Sequence, residues 1–514
     1  MRTRFAPSPT GFLHVGALRT ALFAWLVAKQ TKDAFTLRIE DTDQAREVAG
    51  ATENIIRTLK LAGIPPDEGV TLDDAGALIE KGDVGPYHQS KRLPLYRKYA
   101  DELLANGHAY VCFCTSERLD AMRKKQQELR QAPMYDRQCV DMPKDEVEKR
   151  IAAGEKHVIR LKIPRDQTVV YDDAIYGTLS FKGHTIDDQV LLKSDGFPTY
   201  HLAHVVDDHL MKTDMVIRGE EWLSSLPKHL ILFKAFGWDT PKYAHVPLLL
   251  NKDRTKLSKR QNDVAAEDYL NKGYLPEALL NFLALLGWNP GTEQELFSVP
   301  ELISAFSLER VQKSGAVFDL EKLDWLQGQW MRKIPVEEFA ARIRPMVEEK
   351  YPDAKTDIHF VKRAGLIQQR ITFFPEAPEM MAYLYESPKP TMALVANPKQ
   401  KLTPELIPTI VKLLKEILAE IPEENWKYEV IRDKLEVSHM HDYGKVLATA
   451  AHEHLETGVH PEVPKFEPSP LTKGQKLWTL RAMLTGREYS PGAYEVADLL
   501  GKSETMKRLA VAPA

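Results

Sequence analysis

A chain of 514 residues is too long for a single hydrophobic core and predicts about three or four domains. It has 43% hydrophobic and 28% charged residues, and its 69 Lys and Arg against 73 Asp and Glu leave a formal net charge of −4. That excludes a disordered chain and a globally basic polyanion binder, so any RNA-contacting surface has to be a local patch.

No apolar run approaches the roughly 20 residues that cross a bilayer. Three cysteines in this length point to a reducing compartment without a disulfide framework. Residues 1–4 run directly into the first predicted strand and leave no room for a targeting peptide, so the cytoplasm is the expected location.

Residues 2–6 predict a short strand with an apolar end, after which Pro7, Pro9 and Gly11 forbid regular structure. A helix follows, with Leu18, Leu22, Trp25 and Leu26 on one face. Gly16 sits in its first turn, where a missing Cβ lets a ligand approach the free N–H groups and the positive end of the helix dipole. His14 stands just before it, so residues 14–17 are a nucleotide-phosphate candidate.

Residues 34–39 predict the next strand, ending on Glu40, Asp41, Thr42 and Asp43, acids at the carboxyl end of a parallel strand where ligands of such sheets bind. A helix N-cap is the expected role of Asp41 and Asp43. Residues 87–132 read as helical and basic. Within them a helix capped by Thr115 or Ser116 shows a thin apolar side of Leu119, Met122 and Leu129 and a wide basic one with Arg118, Arg123, Lys124, Lys125 and Arg130. A solvated face and a phosphate-contacting face both fit that pattern.

Strand and helix alternation returns from Asp187 through Val190, Leu191 and Leu192 to Tyr200. A cationic loop covers residues 251–260. Beyond Lys259 the pattern is wholly helical: Pro276 opens a helix with Leu279, Leu280, Leu283 and Leu286 inward and Gly287 as its stop, and Thr403 and Pro404 open another with a stripe of Leu406, Ile410, Leu413, Leu414, Ile417 and Ile421. No alternating strand pattern occurs in the last third.

Residues 14–17, HVGA, resemble the HIGH motif of class I aminoacyl-tRNA synthetases, and residues 256–260, KLSKR, resemble their KMSKS motif. RFAPSPTG at 4–11 and RIEDTD at 38–43 are similar to the glutamyl branch of that class. The resemblance continues through residues 196–209 and 217–222 and, more loosely, LTGR at 484–487, so it covers essentially the whole chain.

It implies an α/β fold: a split Rossmann-type nucleotide-binding catalytic domain with an acceptor-binding insertion, followed by all-α C-terminal anticodon-binding domains. The implied bounds are 1–85 and 191–255 for the catalytic halves, 86–190 for the insertion, 256–335 for a helical stem-contact region, and 336–405 and 406–514 for two anticodon-binding domains. The implied activity joins L-glutamate to tRNA(Glu) through a glutamyl-adenylate, using ATP with Mg²⁺, in a monomer that needs bound tRNA before it activates the amino acid.

By the same resemblance His14, Lys256 and Lys259 carry the chemistry, and His14, Gly16, Glu221, Lys256, Ser258 and Lys259 hold ATP. Arg4, Ala6, Ser8, Glu40, Tyr200, His204 and Arg218 hold glutamate, with Glu40 taking the ammonium group and the two guanidinium forks suiting the side-chain carboxylate. His204 departs from the family's usual Asn. Arg370 matches an arginine that tests the last anticodon base, and a plain surface arginine is the competing reading.

Some relatives hold zinc with a Cys-x-Cys pair, a distant Cys and a His two residues later. Cys112, Cys114 and Cys139 match in spacing, but Asp141 stands in the fourth position. The expectation is therefore three buried reduced cysteines and no metal. The competing functions are a queuosine-type tRNA modifier, which would lack the helical third, a small-molecule nucleotidyltransferase, which has no use for the glutamate pocket, and a non-catalytic tRNA-binding synthetase relic.

Overall fold

The computed structural model describes residues 1–257, 265–436 and 471–514. It divides into two compact units, Met1–Gln327 and Gly328–Ala514.

The first unit is built on a six-stranded sheet of β1 (Thr3–Phe5), β2 (Phe35–Leu37), β3 (Glu68–Leu72), β4 (Leu78–Lys81), β10 (Met215–Gly219) and β11 (Lys242–Val246). Its order is β11-β10-β1-β2-β3-β4, parallel except where β4 pairs with β3. The strands before and after the insertion meet at β1, whose Thr3 is in register with Phe35 on one side and Met215 on the other. Successive connections therefore run to opposite sides of β1 and open a crevice at the carboxyl ends of β1 and β10, the place where open α/β sheets bind ligands.

Helix α1 (Val15–Gln30) returns from that crevice. The expected face of Leu18, Leu22, Trp25 and Leu26 is buried, and so are Ala21, Phe23 and Ala24, because the sheet covers one side and α9 (Pro276–Leu285) another. The helix predicted from Pro276 stands as read, with Pro276 in its first turn and Gly287 just beyond it at φ 96°.

The insertion departs from its helical reading. Between α3 (Leu93–Ala105) and α4 (Ser116–Glu128) runs β5 (Ala109–Cys112), which joins β6 (Val158–Leu161) and β9 (Val190–Leu192) in an antiparallel sheet. A hairpin of β7 (Thr168–Asp173) and β8 (Gly177–Lys182) stands beside it. The period-two alternation of TVVYDD and GTLSFK around a three-residue connection, with Gly177 at φ 75° opening the second strand, was the available signal. Thr115 does cap α4 by accepting from the Arg118 N–H, but Leu129 is exposed and does not belong to its apolar side; Leu119 and Met122 do.

A two-residue parallel ladder, Leu249–Leu250 with Ala316–Val317, also interrupts the region read as wholly helical. The second unit has no strand among its described residues, and a single apolar core runs through it from Met331 to Leu509. Its helix Ile407–Ala419 starts later than predicted. Pro408 sets that start, since proline is tolerated in a first turn but not in the interior that a helix opened at Pro404 would give it.

Candidate active site

The proline-held turn after β1 is pinned across the crevice: the Pro7 carbonyl accepts from the Glu40 N–H at 3.0 Å and the Pro9 carbonyl from the Val48 N–H at 2.9 Å. This brings the end of β2 beside the end of β1. The turn then delivers His14 to the start of α1 as its N-cap, with Nδ1 accepting from the Ala17 N–H at 3.1 Å. In a neutral imidazole that bond leaves the proton on Nε2. A Cβ on Gly16 would lie 3.2 Å from His14 Nδ1 and 3.3 Å from Cε1, which is why glycine occupies this turn beside an extended imidazole.

The cationic loop reaches the same place. Leu257 N–H donates to the Leu249 carbonyl at 2.9 Å, and Asn251 closes the turn through the Thr255 carbonyl at 2.8 Å. On the far side of the loop Ala266 N–H donates to the Leu13 carbonyl at 2.8 Å, next to His14. Ser258 and Lys259 lie outside the described residues.

A cleft of about 950 Å³ runs from this end to the carboxyl ends of β1, β2 and β10. Of the residues assigned from the sequence, it is lined by His14, Gly16, Glu221 and Lys256 and also by Arg4, Ala6, Ser8, Glu40, Tyr200 and Arg218. His204 is the exception. It is fully buried behind Tyr200, with the two rings stacked at 5.2 Å, and does not line the cleft. The reason is its neighbours: Nδ1 lies 2.8 Å from Asp208 and Nε2 3.2 Å from the Tyr243 hydroxyl, so the ring is used up within the core.

The acids after β2 also separate by role. Glu40 is buried, and Arg38 donates to it at 3.0 Å. Burial raises its pKa, against the opposing pull of Arg38 and Arg4. Asp41 is no helix cap; it accepts from both the backbone and the side chain of Ser90 and so ties the loop to the segment before α3. Asp43 precedes a short 3₁₀ turn but makes no side-chain cap bond, pairing instead with Arg46.

Beneath the cleft lies a charged layer that the sequence reading passed over. Arg38 donates to Asp208 at 2.7 Å, Arg4 Nε donates to the same carboxylate at 3.1 Å, and Arg92 Nε donates to Asp207 at 2.7 Å, where Gln89 and Tyr96 also donate. All of these side chains are buried. Although burial pushes Asp208 up, Arg4 and Arg38 hold it well below the usual carboxylate range, while for Asp207 burial wins and its pKa rises. Asp207 and Asp208 were in plain view on α6 (Tyr200–Leu210), as adjacent acids directly after the apolar Val205 and Val206, a placement that fits paired burial.

The class I tRNA synthetase (E and Q) catalytic-domain family matches residues 1–325, and an anticodon-binding-domain family matches residues 338–439 and 467–513. A glutamate–tRNA ligase of Finegoldia magna is 42% identical over 99% of this chain and 98% of its own length. The chain belongs to the glutamate–tRNA ligase family. Another member, from Clostridioides difficile, is 41% identical over 99% of this chain and 98% of its own length. The crystal structure of a glutamate tRNA ligase from Elizabethkingia meningosepticum in complex with its amino acid superposes with a TM-score of 0.79 at 32% identity, covering 99% of this chain and 98% of that one. The expected fold class, a Rossmann-type catalytic part followed by a helical anticodon-binding part, is the one these relatives and the two units display.

Two features of this family member lie away from the cleft. The sulfurs of Cys112, Cys114 and Cys139 all lie within 4.8 Å of one another. The Tyr135 hydroxyl sits among them, 3.3 Å from Cys112 Sγ and 3.2 Å from Cys114 Sγ, and accepts from the Cys139 N–H. Asp141 is exposed and is not part of the cluster. Three converging thiols suit a soft ion, but a phenol as the neighbouring oxygen makes a weak fourth ligand. Burial pushes Cys114 up to about 11, whereas Tyr135 and Arg160 outweigh burial at Cys112 and lower it.

In the second unit Arg370 follows the helix Phe360–Gln368, is exposed, and donates to the Leu366 carbonyl at 2.9 Å. It has arginine company. Arg370 lowers the pKa of Arg481 second to burial, and Arg370, Arg487, Arg363 and Arg508 all act on the buried Tyr383 phenol, which burial nonetheless raises.

Proposed function

We propose that this chain is a working glutamate–tRNA ligase that uses ATP to make glutamyl-adenylate and passes the glutamyl group to the 3′ end of tRNA(Glu), releasing AMP and pyrophosphate. The observation that carries the reading is the single cleft whose one end is lined by His14, Gly16 and Lys256 and whose other end is lined by Arg4, Glu40 and Arg218. A triphosphate needs the first set and a dicarboxylic amino acid the second, and one cleft lets them react.

In this mechanism Arg218, with Arg4 beside it, takes the γ-carboxylate and Glu40 the ammonium group, which leaves the α-carboxylate facing the α-phosphate. The His14 Nε2–H, the free N–H groups of α1 and Lys256 hold the phosphates as negative charge shifts toward the leaving pyrophosphate, with Lys259 of the same loop joining them. No covalent enzyme nucleophile is required, so rate comes from positioning and charge stabilisation. Mg²⁺ supplies charge neutralisation for the triphosphate, and the cleft-lining carboxylates Asp43 and Glu221 are the hard oxygen donors that suit it. Helix α4 buries none of its residues and presents its basic side to the acceptor end of the tRNA, while Arg370 with its neighbouring arginines reads the anticodon end. The reading includes a monomer acting in the cytoplasm, with no membrane role; no helix among the described residues is long and apolar enough to cross a membrane.

The test is glutamate-dependent ATP–pyrophosphate exchange with and without tRNA(Glu). Exchange that appears only with tRNA is the expected result. Exchange in both conditions keeps the ligase and removes the tRNA requirement, and exchange in neither returns the relic reading, which no observation in the structure favours.

A further inference from the structure

The two arginines that line the amino-acid end of the cleft are held in opposite ways. Arg4 donates from Nε to the carboxylate of Asp208, which balances its charge within the core. Arg218 has no carboxylate within ion-pair distance among the described residues. It is held by imidazoles: Nε donates to His245 Nε2 at 3.0 Å, and Nη1 lies 3.2 Å from His229 Nδ1 and 3.4 Å from His204 Nε2. The Tyr200 hydroxyl, at 3.1 Å, and the face of Tyr243, at 4.9 Å, complete its surroundings.

A guanidinium can only donate, so each imidazole must turn a lone pair toward Arg218 and its N–H away. Each has an acceptor behind it for that N–H. His245 Nδ1 is 2.6 Å from Asp173, His204 Nδ1 is 2.8 Å from Asp208, and His229 Nε2 is 3.0 Å from His201 Nδ1. The tautomers are thereby fixed, as second-layer partners fix the imidazoles of metal sites. Arg218 itself is buried, and its Nη2 has no hydrogen-bond partner among the described residues.

We infer that His229 and His245, with Asp173 behind His245, are positioning residues that fix Arg218 through neutral acceptors, so that its full charge is left for the side-chain carboxylate of the amino acid. This rests on the ligase reading above and assigns carboxylate selection mainly to Arg218 rather than to the compensated Arg4. Burial keeps His229 and His204 in the neutral form that this role needs. Charge on the anchor is the variable. A carboxylate in place of either imidazole would hold the guanidinium equally well and yet cancel the charge the substrate meets.

The experiment compares two isosteric substitutions. Asn Oδ1 and Asp Oδ1 both reach the place of His229 Nδ1, so His229→Asn keeps a neutral acceptor and His229→Asp adds charge. In tRNA-dependent pyrophosphate exchange, His229→Asp raises the KM for glutamate by about tenfold or more, leaves the KM for ATP within about twofold, and leaves whatever inhibition added glutamine gives unchanged, because a neutral amide does not feel the lost charge. His229→Asn stays within about threefold of wild type for all three.

Equal glutamate KM for the Asn and Asp variants overturns the inference, as does a parallel loss of glutamate and glutamine affinity, which marks a merely structural role. If His229→Asp does not fold, His245→Gln against His245→Leu decides the matter: retention of glutamate KM in the first and a rise of about tenfold in the second supports the role, and equal values reject it. Wild-type protein with no exchange at all refutes the ligase reading instead.

Discussion

Arg218 shows what one residue can do when its neighbours are chosen for what they lack. Removing its fork takes away hydrogen bonds to a charged group, each worth about 1.5–3 kcal/mol. Arg218→Ala is therefore expected to raise the KM for glutamate roughly 10- to 150-fold while the KM for ATP holds; wild-type glutamate affinity in that variant would remove Arg218 from the pocket. Gly16 makes the complementary argument at the phosphate end. In Gly16→Ala the new Cβ must push the His14 imidazole by a few tenths of an ångström, since it would start 3.2 Å from Nδ1. We expect the KM for ATP to rise about tenfold, equivalent to ~1.4 kcal/mol, with glutamate affinity spared. A change of the opposite kind would place His14 on the amino-acid side. The residue types of both sites were legible in the sequence. That Arg4 is compensated and Arg218 is not was illegible, because Asp208 and His229 reach these arginines only through the fold.

At the scale of elements, the insertion was the hardest part to read. Its strands are short: β5, β6 and β9 are buried but only three or four residues long, too few to show a period, and only the hairpin strands β7 and β8 alternate between exposed and covered residues. Strand β7 nevertheless has a consequence inside the catalytic part: its last residue, Asp173, orients His245 on β11. The cysteine-bearing elements yield a prediction of their own. With Tyr135 among the sulfurs and Asp141 exposed, purified protein should contain no stoichiometric zinc, and all three cysteines should react with a thiol reagent once the chain is unfolded. Metal analysis that finds one zinc per chain, lost with EDTA together with order in β5 and α4, would overturn this. Helix α1 was the easiest element: its apolar face, its glycine and its proline-held entry agree with one another, and local agreement of that kind survives tertiary context.

For the whole first unit, burial of histidines links stability to pH. Burial lowers the pKa of His201 and His204 to about 3, depresses that of His229 well below its ordinary value, and depresses that of His245 against the pull of Asp173. In the unfolded chain the same groups titrate near 6.5, so as pH falls through that value the unfolded state binds protons that the folded state refuses. Stability is therefore fully present above about pH 6.5 and declines below it, by about 1.4 kcal/mol per histidine for each further pH unit. The melting transition of the first unit should fall steadily between pH 7 and pH 5. A flat profile over that range would mean that these imidazoles are protonated in the native state. Asp208 and Asp173, whose folded pKa values are depressed, add a second loss of stability only below the normal carboxylate range.

What the sequence determined by itself is local in origin: the proline-held turn into α1, the histidine and glycine at its start, the basic loop, the apolar stripes of the C-terminal helices, and the motif pairing that points to the family. These depend on residues a few positions apart, so they are written in spacing and residue type. The tertiary structure alone decided that His14 and Lys256 line one cleft, that His204 is withdrawn from it behind Tyr200, that Asp207 and Asp208 are buried counter-ions, and that Arg218 is anchored by three imidazoles from α6, α7 (Leu226–Phe236) and β11. The physical reason is that charge compensation and burial are set by groups distant along the chain, and a buried ion's behaviour follows from those neighbours rather than from its own local sequence.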